Sequence, residues 1–143
     1  MLPQLIERYV SGGQLRITWN DFAWYGDESR VAAQAARCAA HEDMFWGYHD
    51  ILYANQRGIN QGRFSSANLK QWARDLGLSP EAFDACLDAG EDIPSIREDL
   101  ARGRSLGITA TPVFIINGQR VFGPQNVAIF TQIIESKLLE AGS

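Results

Sequence analysis

The sequence predicts an α/β protein in which a block of helices separates one early strand from a C-terminal β-hairpin and helix. Apolar and polar residues alternate over Leu15–Trp19, which is the pattern of a half-buried strand. Helical periodicity then recurs as far as Leu106. Two short apolar runs, Val113–Asn117 and Gln119–Phe122, follow and meet at Asn117-Gly118, a dipeptide typical of a tight hairpin turn.

The composition is that of an ordinary globular protein of one domain. The 143 residues carry a net charge of −4, with 45% hydrophobic and 21% charged residues. An acidic balance argues against a nucleic-acid partner, which would require a basic patch. No apolar run approaches the length of a membrane span. Leu2–Val10 has the pattern of an amphipathic helix and not of a signal peptide.

Capping residues and helix breakers divide the helical regions. Ser65 or Ser66, Ser79 and Asn126 are predicted N-caps, and Pro80 fits the first position of the helix after Ser79. The residues that end or interrupt elements are Ser11-Gly12-Gly13, Gly107 and Gly123-Pro124. The intervening segments predict a loop at Asp21–Asp27, with Trp24 and Tyr25 in it, and another at Asn55–Arg63.

The residues that commonly bind metals are few. The two cysteines are Cys38 and Cys86, and the two histidines are His41 and His49. The cysteines do not form a Cys-x-x-Cys pair, and two thiols without evident histidine partners make a poor zinc site. The sequence therefore predicts no metal site and no cofactor.

A proline opens the first strand of the predicted hairpin. Pro112 cannot donate a ladder hydrogen bond, so it must occupy the first position of the strand or an edge. Thr109 and Thr111 precede it. On the residues alone, a trans proline that simply ends a loop is the simpler interpretation.

Four segments of the chain carry a resemblance to a known family. In chain order they are PQLIERYV, DESRVAAQAARCAAHEDMFWGYHDILYANQ, FDACLDAG and REDLARGRSLGITATPVFIINGQRVFG. Their order and spacing resemble those of the DsbA-like disulfide oxidoreductases, which are thioredoxin folds with an inserted helical domain. The resemblance covers Leu2 to Leu139. It implies a thioredoxin-like core at residues 1–36 and 107–143, and an inserted helical domain at residues 37–106.

The resemblance assigns roles to four residues. It implies a cis Thr111–Pro112 bond, which a fold can hold at little cost, and main-chain groups of Thr111 that bind extended polypeptide substrates beside Pro112. Cys38 and Cys86 match the positions of a non-catalytic disulfide found in some members, and two buried free thiols are the alternative. A disulfide would indicate an extracytoplasmic location, in the periplasm or cell envelope.

The sequence departs from the family at its N-terminus. The family's first strand and its Cys-x-x-Cys have no counterpart, so the resemblance implies a truncated chain that is inactive alone. Loss of a central strand would leave apolar edges unpaired. Either the flanking strands pair directly, or a second copy fills the gap and gives a homodimer. Trp24 and Tyr25 are expected either to line a substrate groove or to cover this gap.

The resemblance implies a thiol–disulfide oxidoreductase that acts on extended polypeptides, with an unidentified redox partner. One alternative is a non-catalytic peptide-binding thioredoxin-like domain. The other is a kappa-type glutathione-linked isomerase or transferase, which needs a serine or cysteine nucleophile in the same missing segment.

Overall fold

The computed structural model describes residues 1–142 and divides into two compact units. The first unit comprises Met1–Asn20 together with the chain from Leu106 onward, and the second is Asp21–Ser105. The division predicted from the sequence differs, because its boundary between residues 36 and 37 falls inside a helix. The structure keeps that helix whole within the second unit.

The first unit packs two helical segments and a β-hairpin around one apolar core. Its elements are α1 (Leu2–Leu5), a π-helical continuation (Ile6–Val10), β1 (Val113–Ile116), β2 (Gln119–Phe122) and α7 (Val127–Ala141). The core consists of Leu5, Tyr9, Val121, Phe130 and Ile134. The Tyr9 hydroxyl donates a 2.7 Å hydrogen bond to the Glu135 carboxylate, which joins the N-terminal helical segment to α7.

The hairpin forms as predicted. β1 and β2 pair antiparallel, with Val113 opposite Phe122 and Ile116 opposite Gln119. The turn residues Asn117 and Gly118 have φ values of 45° and 87°. Positive φ at both central positions is what a two-residue type I′ turn requires, so the local sequence determines this register.

The predicted strand at Leu15–Trp19 is wrong, because β1 and β2 are the only paired strands among residues 1–142. Exposure still alternates there: Leu15 and Ile17 are half-buried, while Arg16 and Thr18 are exposed. The pattern therefore identified two inward side chains correctly, whereas Trp19, the third apolar residue of the pattern, is 37% exposed. A strand also needs a neighbour for its backbone groups, and no described strand pairs with this segment.

The second unit consists of helices. They are α2 (Asp27–Ala40), α3 (Phe45–Asn55), α4 (Ser66–Asp75), α5 (Pro80–Ala89) and α6 (Ile93–Ser105). The predicted caps are confirmed at Ser65 and Ser79 in this unit, and at Asn126 before α7 in the first unit. The Ser65 side chain accepts a hydrogen bond from the Asn68 amide, and the Ser79 side chain accepts one from the Ala82 amide.

Small residues on α2 allow α3 and α5 to pack closely around it. Ala35 and Ala39 are fully buried, and Tyr48 of α3 is completely enclosed in the same core. The Tyr48 ring lies 5.4 Å from the Phe83 ring, and its hydroxyl donates a 2.8 Å hydrogen bond to the Leu69 carbonyl. None of the described helices is long and apolar enough to cross a membrane.

Candidate functional site

The predicted peptide-binding residues lie at the start of β1, on the surface of the first unit. The Thr111–Pro112 peptide bond is cis, as the resemblance implied. The Pro112 carbonyl accepts a 2.9 Å hydrogen bond from the Gly123 amide, which ties it to the end of β2. Thr111 is exposed, and its main chain makes no hydrogen bond within residues 1–142. Both of its main-chain polar groups are thus available to a ligand.

The edge of β1 that faces away from β2 carries no partner strand among the described residues. Phe114 and Ile116 point into the core of the first unit. On the opposite face of the hairpin, Ile115 is 50% exposed and Phe122 is 58% exposed. An unpaired edge flanked by exposed apolar side chains is suited to receiving an extended segment as an additional strand.

Cys38 and Cys86 form a disulfide between α2 and α5, as the resemblance implied. Cys38 is 2% exposed, whereas Cys86 is half-buried. The chain therefore has no free cysteine. This disulfide belongs to the second unit, while Thr111 and Pro112 belong to the first.

Three polar side chains surround the disulfide. Gln34 is 1% exposed, and its amide nitrogen donates to the Cys86 carbonyl at 3.1 Å and lies 3.4 Å from the Cys38 sulfur. The Asp92 amide donates a 3.0 Å hydrogen bond to the Gln34 side-chain oxygen. The His41 Nδ1 atom lies 3.7 Å from the Cys86 sulfur.

Sequence reasoning missed this grouping, although part of it could have been found. Gln34, Cys38 and His41 follow one another at spacings of four and three residues, which places them on one face of α2. Asp92 gave no such signal, because its position depends on how α6 packs against α2.

The aromatic residues of the loop before α2 contact one another with tilted rings. The Trp24 and Tyr25 ring centroids are 4.9 Å apart, and the Trp24 and Phe22 centroids are 5.8 Å apart. Trp24 is 37% exposed and Tyr25 is 47% exposed. A substrate-contacting role for them stays a prediction.

Three tyrosines, Tyr9, Tyr48 and Tyr53, have a raised pKa, and the first two are buried. Burial raises the pKa of Tyr48 well above its usual value of 10.0. The pKa of Tyr9 is also raised, first by desolvation and then by its hydrogen bond to Glu135. Neither hydroxyl touches Thr111 or the disulfide in the hydrogen bonds described, so both serve the packing of their own units.

Curated relatives of the chain fall into two groups. It is 30% identical over 133 residues to a Na(+)/H(+) antiporter NhaA of Herminiimonas arsenicoxydans, an alignment that covers 83% of this chain and 21% of that protein. It is 23% identical over 139 residues to Disulfide bond formation protein D of Bacillus subtilis (strain 168), covering 95% of this chain and 61% of that protein. The chain thus spans about a fifth of the antiporter and about three fifths of the disulfide protein.

A solved structure identifies the fold, and a family model identifies the family. The crystal structure of oxidised BdbD from Bacillus subtilis matches with a TM-score of 0.85 at 22% identity, covering 96% of this chain and 76% of that chain. The predicted thioredoxin-like α/β fold is therefore confirmed. A protein-family model described as Thioredoxin matches residues 1–136, which is nearly the whole chain. The chain belongs to the thioredoxin family.

Proposed function

We propose that this chain takes part in protein thiol–disulfide exchange as a DsbA-like domain, and that it binds the substrate polypeptide. Relatives in two Bacillus species carry names that refer to disulfide bond formation. The observation that carries the proposal is the exposed, unpaired main chain of Thr111 at the open edge of β1.

The binding mode follows from the backbone groups at this edge. An extended polypeptide accepts a hydrogen bond from the Thr111 N–H and donates one to the Thr111 carbonyl, as a short added strand does. Main-chain contacts of this kind depend little on the peptide sequence. The exposed side chains of Ile115 and Phe122 add apolar contact beside the backbone. The ligand class is therefore unfolded or extended polypeptide.

We assign the attacking thiolate of the exchange to a sulfur other than Cys38 and Cys86. These two cysteines link α2 to α5 within the second unit, whereas Thr111 belongs to the first unit. In the exchange, that thiolate bonds to one sulfur of a disulfide, and the other sulfur leaves with the electron pair of the broken bond. The chain alone is accordingly expected to leave the rate of insulin reduction by a small dithiol unchanged. A faster rate would contradict this assignment.

The disulfide supports an extracytoplasmic location for the domain. Protein disulfides persist in the periplasm and at the cell surface, and thiols are kept reduced in the cytosol of most cells. Fractionation of cells that make the protein, followed by thiol labelling, should find the chain outside the cytoplasm with Cys38 and Cys86 protected. Labelling of both thiols in freshly lysed cells would count against this location.

The peptide-binding proposal is tested by two arginine variants at neighbouring threonines. Thr111→Arg should weaken the binding of an extended, cysteine-free peptide about 10-fold, because the arginine side chain crowds the edge of β1. Thr109→Arg is the matched control, since Thr109 is also exposed and lies two residues before Thr111. In NMR titrations of the wild-type chain, the amide signals of Thr111 and β1 should move. Equal binding by both variants, or shifts confined to other regions, would overturn the proposal.

A non-catalytic peptide-binding domain is the second candidate. The pairing of both cysteines between two helices of the second unit favours it, because the chain then has no free thiol to act as a nucleophile. The two candidates are separated by introducing Thr111→Arg into cells that make the protein. Free thiols appearing in extracytoplasmic proteins would support exchange, whereas unchanged disulfides together with lost peptide binding would support the non-catalytic role.

A second copy of the chain is the other occupant that we propose for this edge. Pairing between two β1 edges would satisfy the main-chain groups of the unpaired edge and place the Ile115 side chains of the two copies, each 50% exposed in one chain, on one continuous face. Light scattering should then give a mass of two chains that falls to one chain when peptide is added. A monomer at all concentrations would remove the homodimer and leave the peptide as the occupant.

A further inference from the structure

Three side chains with metal-binding atoms converge between α2, α5 and α6, and His41 lies beside them. The sulfurs of Cys38 and Cys86 and a carboxylate oxygen of Asp92 lie within 4.8 Å of one another. The Nδ1 atom of His41 lies 3.7 Å from the Cys86 sulfur, and its Nε2 atom lies 4.0 Å from the Asp92 carboxylate. Adjacent ligand atoms around tetrahedral zinc are separated by roughly 3.3–3.8 Å, given bonds of about 2.0–2.3 Å. One ion would be reached by all four groups after reduction separates the two bonded sulfurs and the His41 side chain rotates one of its nitrogens toward them.

We propose that the reduced chain binds one Zn²⁺ at this position, through the two cysteine thiolates, the His41 imidazole and the Asp92 carboxylate. Two sulfurs, one nitrogen and one oxygen are ligands that zinc takes readily. The disulfide excludes the metal, because only a thiolate is an effective sulfur ligand. The chain thus has two mutually exclusive links between α2 and α5: a covalent bond when oxidised and a metal when reduced.

An external dithiol can supply the two electrons that convert the disulfide form into the dithiol form. Its thiolate attacks the half-buried Cys86 sulfur, and Cys38, which is 2% exposed, leaves as a thiolate. The second thiol of the reductant then displaces Cys86, so that the reductant becomes a disulfide and the chain gains two electrons. Zinc binding releases the protons that remain on the two thiols.

Local structure already positions the ligands for one ion. Cys38 and His41 are three residues apart near the end of α2, so their side chains emerge from the same face of that helix. Gln34 holds Asp92 from the other side, accepting a 3.0 Å hydrogen bond from its amide and contacting its carboxylate at 3.4 Å. Such outer contacts orient the groups that bind a metal directly.

The metal should also replace the structural role of the disulfide. Reduction removes the covalent link between α2 and α5, and zinc restores a link between the same two helices. Zinc that binds only the folded chain raises the free energy of unfolding. The increase grows with the logarithm of the ratio of the zinc concentration to the dissociation constant for zinc. The reduced chain is therefore expected to melt at a higher temperature with zinc than without it.

The test uses the full chain, reduced by a phosphine that is converted to its oxide and then removed. Zinc is titrated in competition with a chromogenic chelator, and cobalt(II) reports the ligands through its sulfur charge-transfer and tetrahedral d–d absorption. We expect one zinc per reduced chain and none per oxidised chain. No zinc uptake by the reduced chain, or equal uptake by both forms, would overturn the proposal.

Matched variants separate a built site from two accidental thiols. His41→Ala and Asp92→Asn should each lower the affinity of the reduced chain for zinc about 10-fold or more. The controls His49→Ala, on α3, and Asp88→Asn, whose carboxylate pairs with Lys70, should leave the affinity unchanged. If all four variants bind zinc as the wild type does, the thiols act alone and the proposal fails.

A further readout covers the case in which reduction unfolds the chain. Far-ultraviolet circular dichroism should then recover its helical signal when zinc is added, and recovery should be lost in His41→Ala. Failure of zinc to restore the signal would overturn the proposal. None of these measurements depends on Thr111, so their outcome is independent of the peptide-binding function.

Discussion

The Arg37 guanidinium donates a 2.8 Å hydrogen bond to the Asp21 carboxylate, which joins α2 to the loop before it. Its other nitrogens donate to the Ser95 hydroxyl at 2.6 Å and to the Asp99 carboxylate at 2.7 Å, both on α6. The side chains of Asp21 and Asp99 are only 7% and 14% exposed. Carboxylates withdrawn from water require a hydrogen-bonded cation, so Arg37 holds three segments of the second unit together.

Arg37→Ala should therefore lower the free energy of unfolding by about 2–3 kcal/mol, because it leaves two largely buried carboxylates without this cation. The matched control is Arg30→Ala on the same helix. Arg30 pairs with Asp27, whose side chain is 89% exposed, and loss of a surface pair costs less than about 1 kcal/mol. Urea unfolding followed by circular dichroism gives both values. Equal costs would show that the Arg37 cluster contributes no more than a surface pair.

The Cys38→Ala/Cys86→Ala double variant should be less stable than the oxidised wild type by up to about 4 kcal/mol. The bond joins residues 48 positions apart, and closing a loop of that length restricts the unfolded chain by about this amount. Guanidinium unfolding of both proteins measures the difference. In metal-free buffer with a reductant the difference should largely disappear, since the wild type then also lacks the bond. An unchanged difference would attribute the loss to packing of the two side chains.

The features that were predictable from the sequence depend on short-range contacts. Ser65 and Ser79 cap their helices by accepting hydrogen bonds from amides three residues ahead. Asn117-Gly118 determines the hairpin turn through its own backbone conformation. Leu15–Trp19 shows the limit, because a strand exists only if a second segment pairs with it. Leu15 and Ile17 are partly buried as the alternation predicts, but the alternation does not specify which other segment would pair with this one.

The candidate sites were predictable to different degrees. The sequence restricted Pro112 to the first position of a strand or to an edge, and β1 begins one residue later, at Val113. The role of Pro112 with Thr111 came from family resemblance. The pairing of Cys38 with Cys86 came from the same source, since a separation of 48 residues says nothing about contact. The approach of Asp92 to the disulfide results from the packing of three helices. No local pattern could have shown it.

Gly118→Ala should destabilise the first unit by about 1–2 kcal/mol. Gly118 has a φ of 87°, and a methyl group there would meet nothing within 4 Å, so the cost is conformational and not steric. Gly12→Ala is the control: it has no positive φ, and its nearest neighbour would lie at an ordinary 3.7 Å. That change should cost less than about 0.5 kcal/mol. Thermal unfolding of the two variants compares them, and equal shifts would contradict a strained conformation at Gly118.

Tyr48 should make the stability of the second unit fall at alkaline pH. Burial raises the pKa of Tyr48 above its usual 10.0, so the folded chain keeps this proton where the unfolded chain has lost it. The unfolded state then binds fewer protons, and stability declines above about pH 10 by up to about 1.4 kcal/mol per pH unit.

The Tyr48→Phe variant tests this pH dependence. It loses the hydrogen bond to the Leu69 carbonyl, which costs about 1–2 kcal/mol near neutral pH, and it also removes the pH dependence. Its deficit relative to wild type should therefore shrink by about 1 kcal/mol between about pH 8 and about pH 11. Tyr25→Phe, at a side chain that is 47% exposed, provides the control. A Tyr48→Phe deficit that stays constant over this range would mean that the hydroxyl ionises equally easily in the folded and unfolded chains.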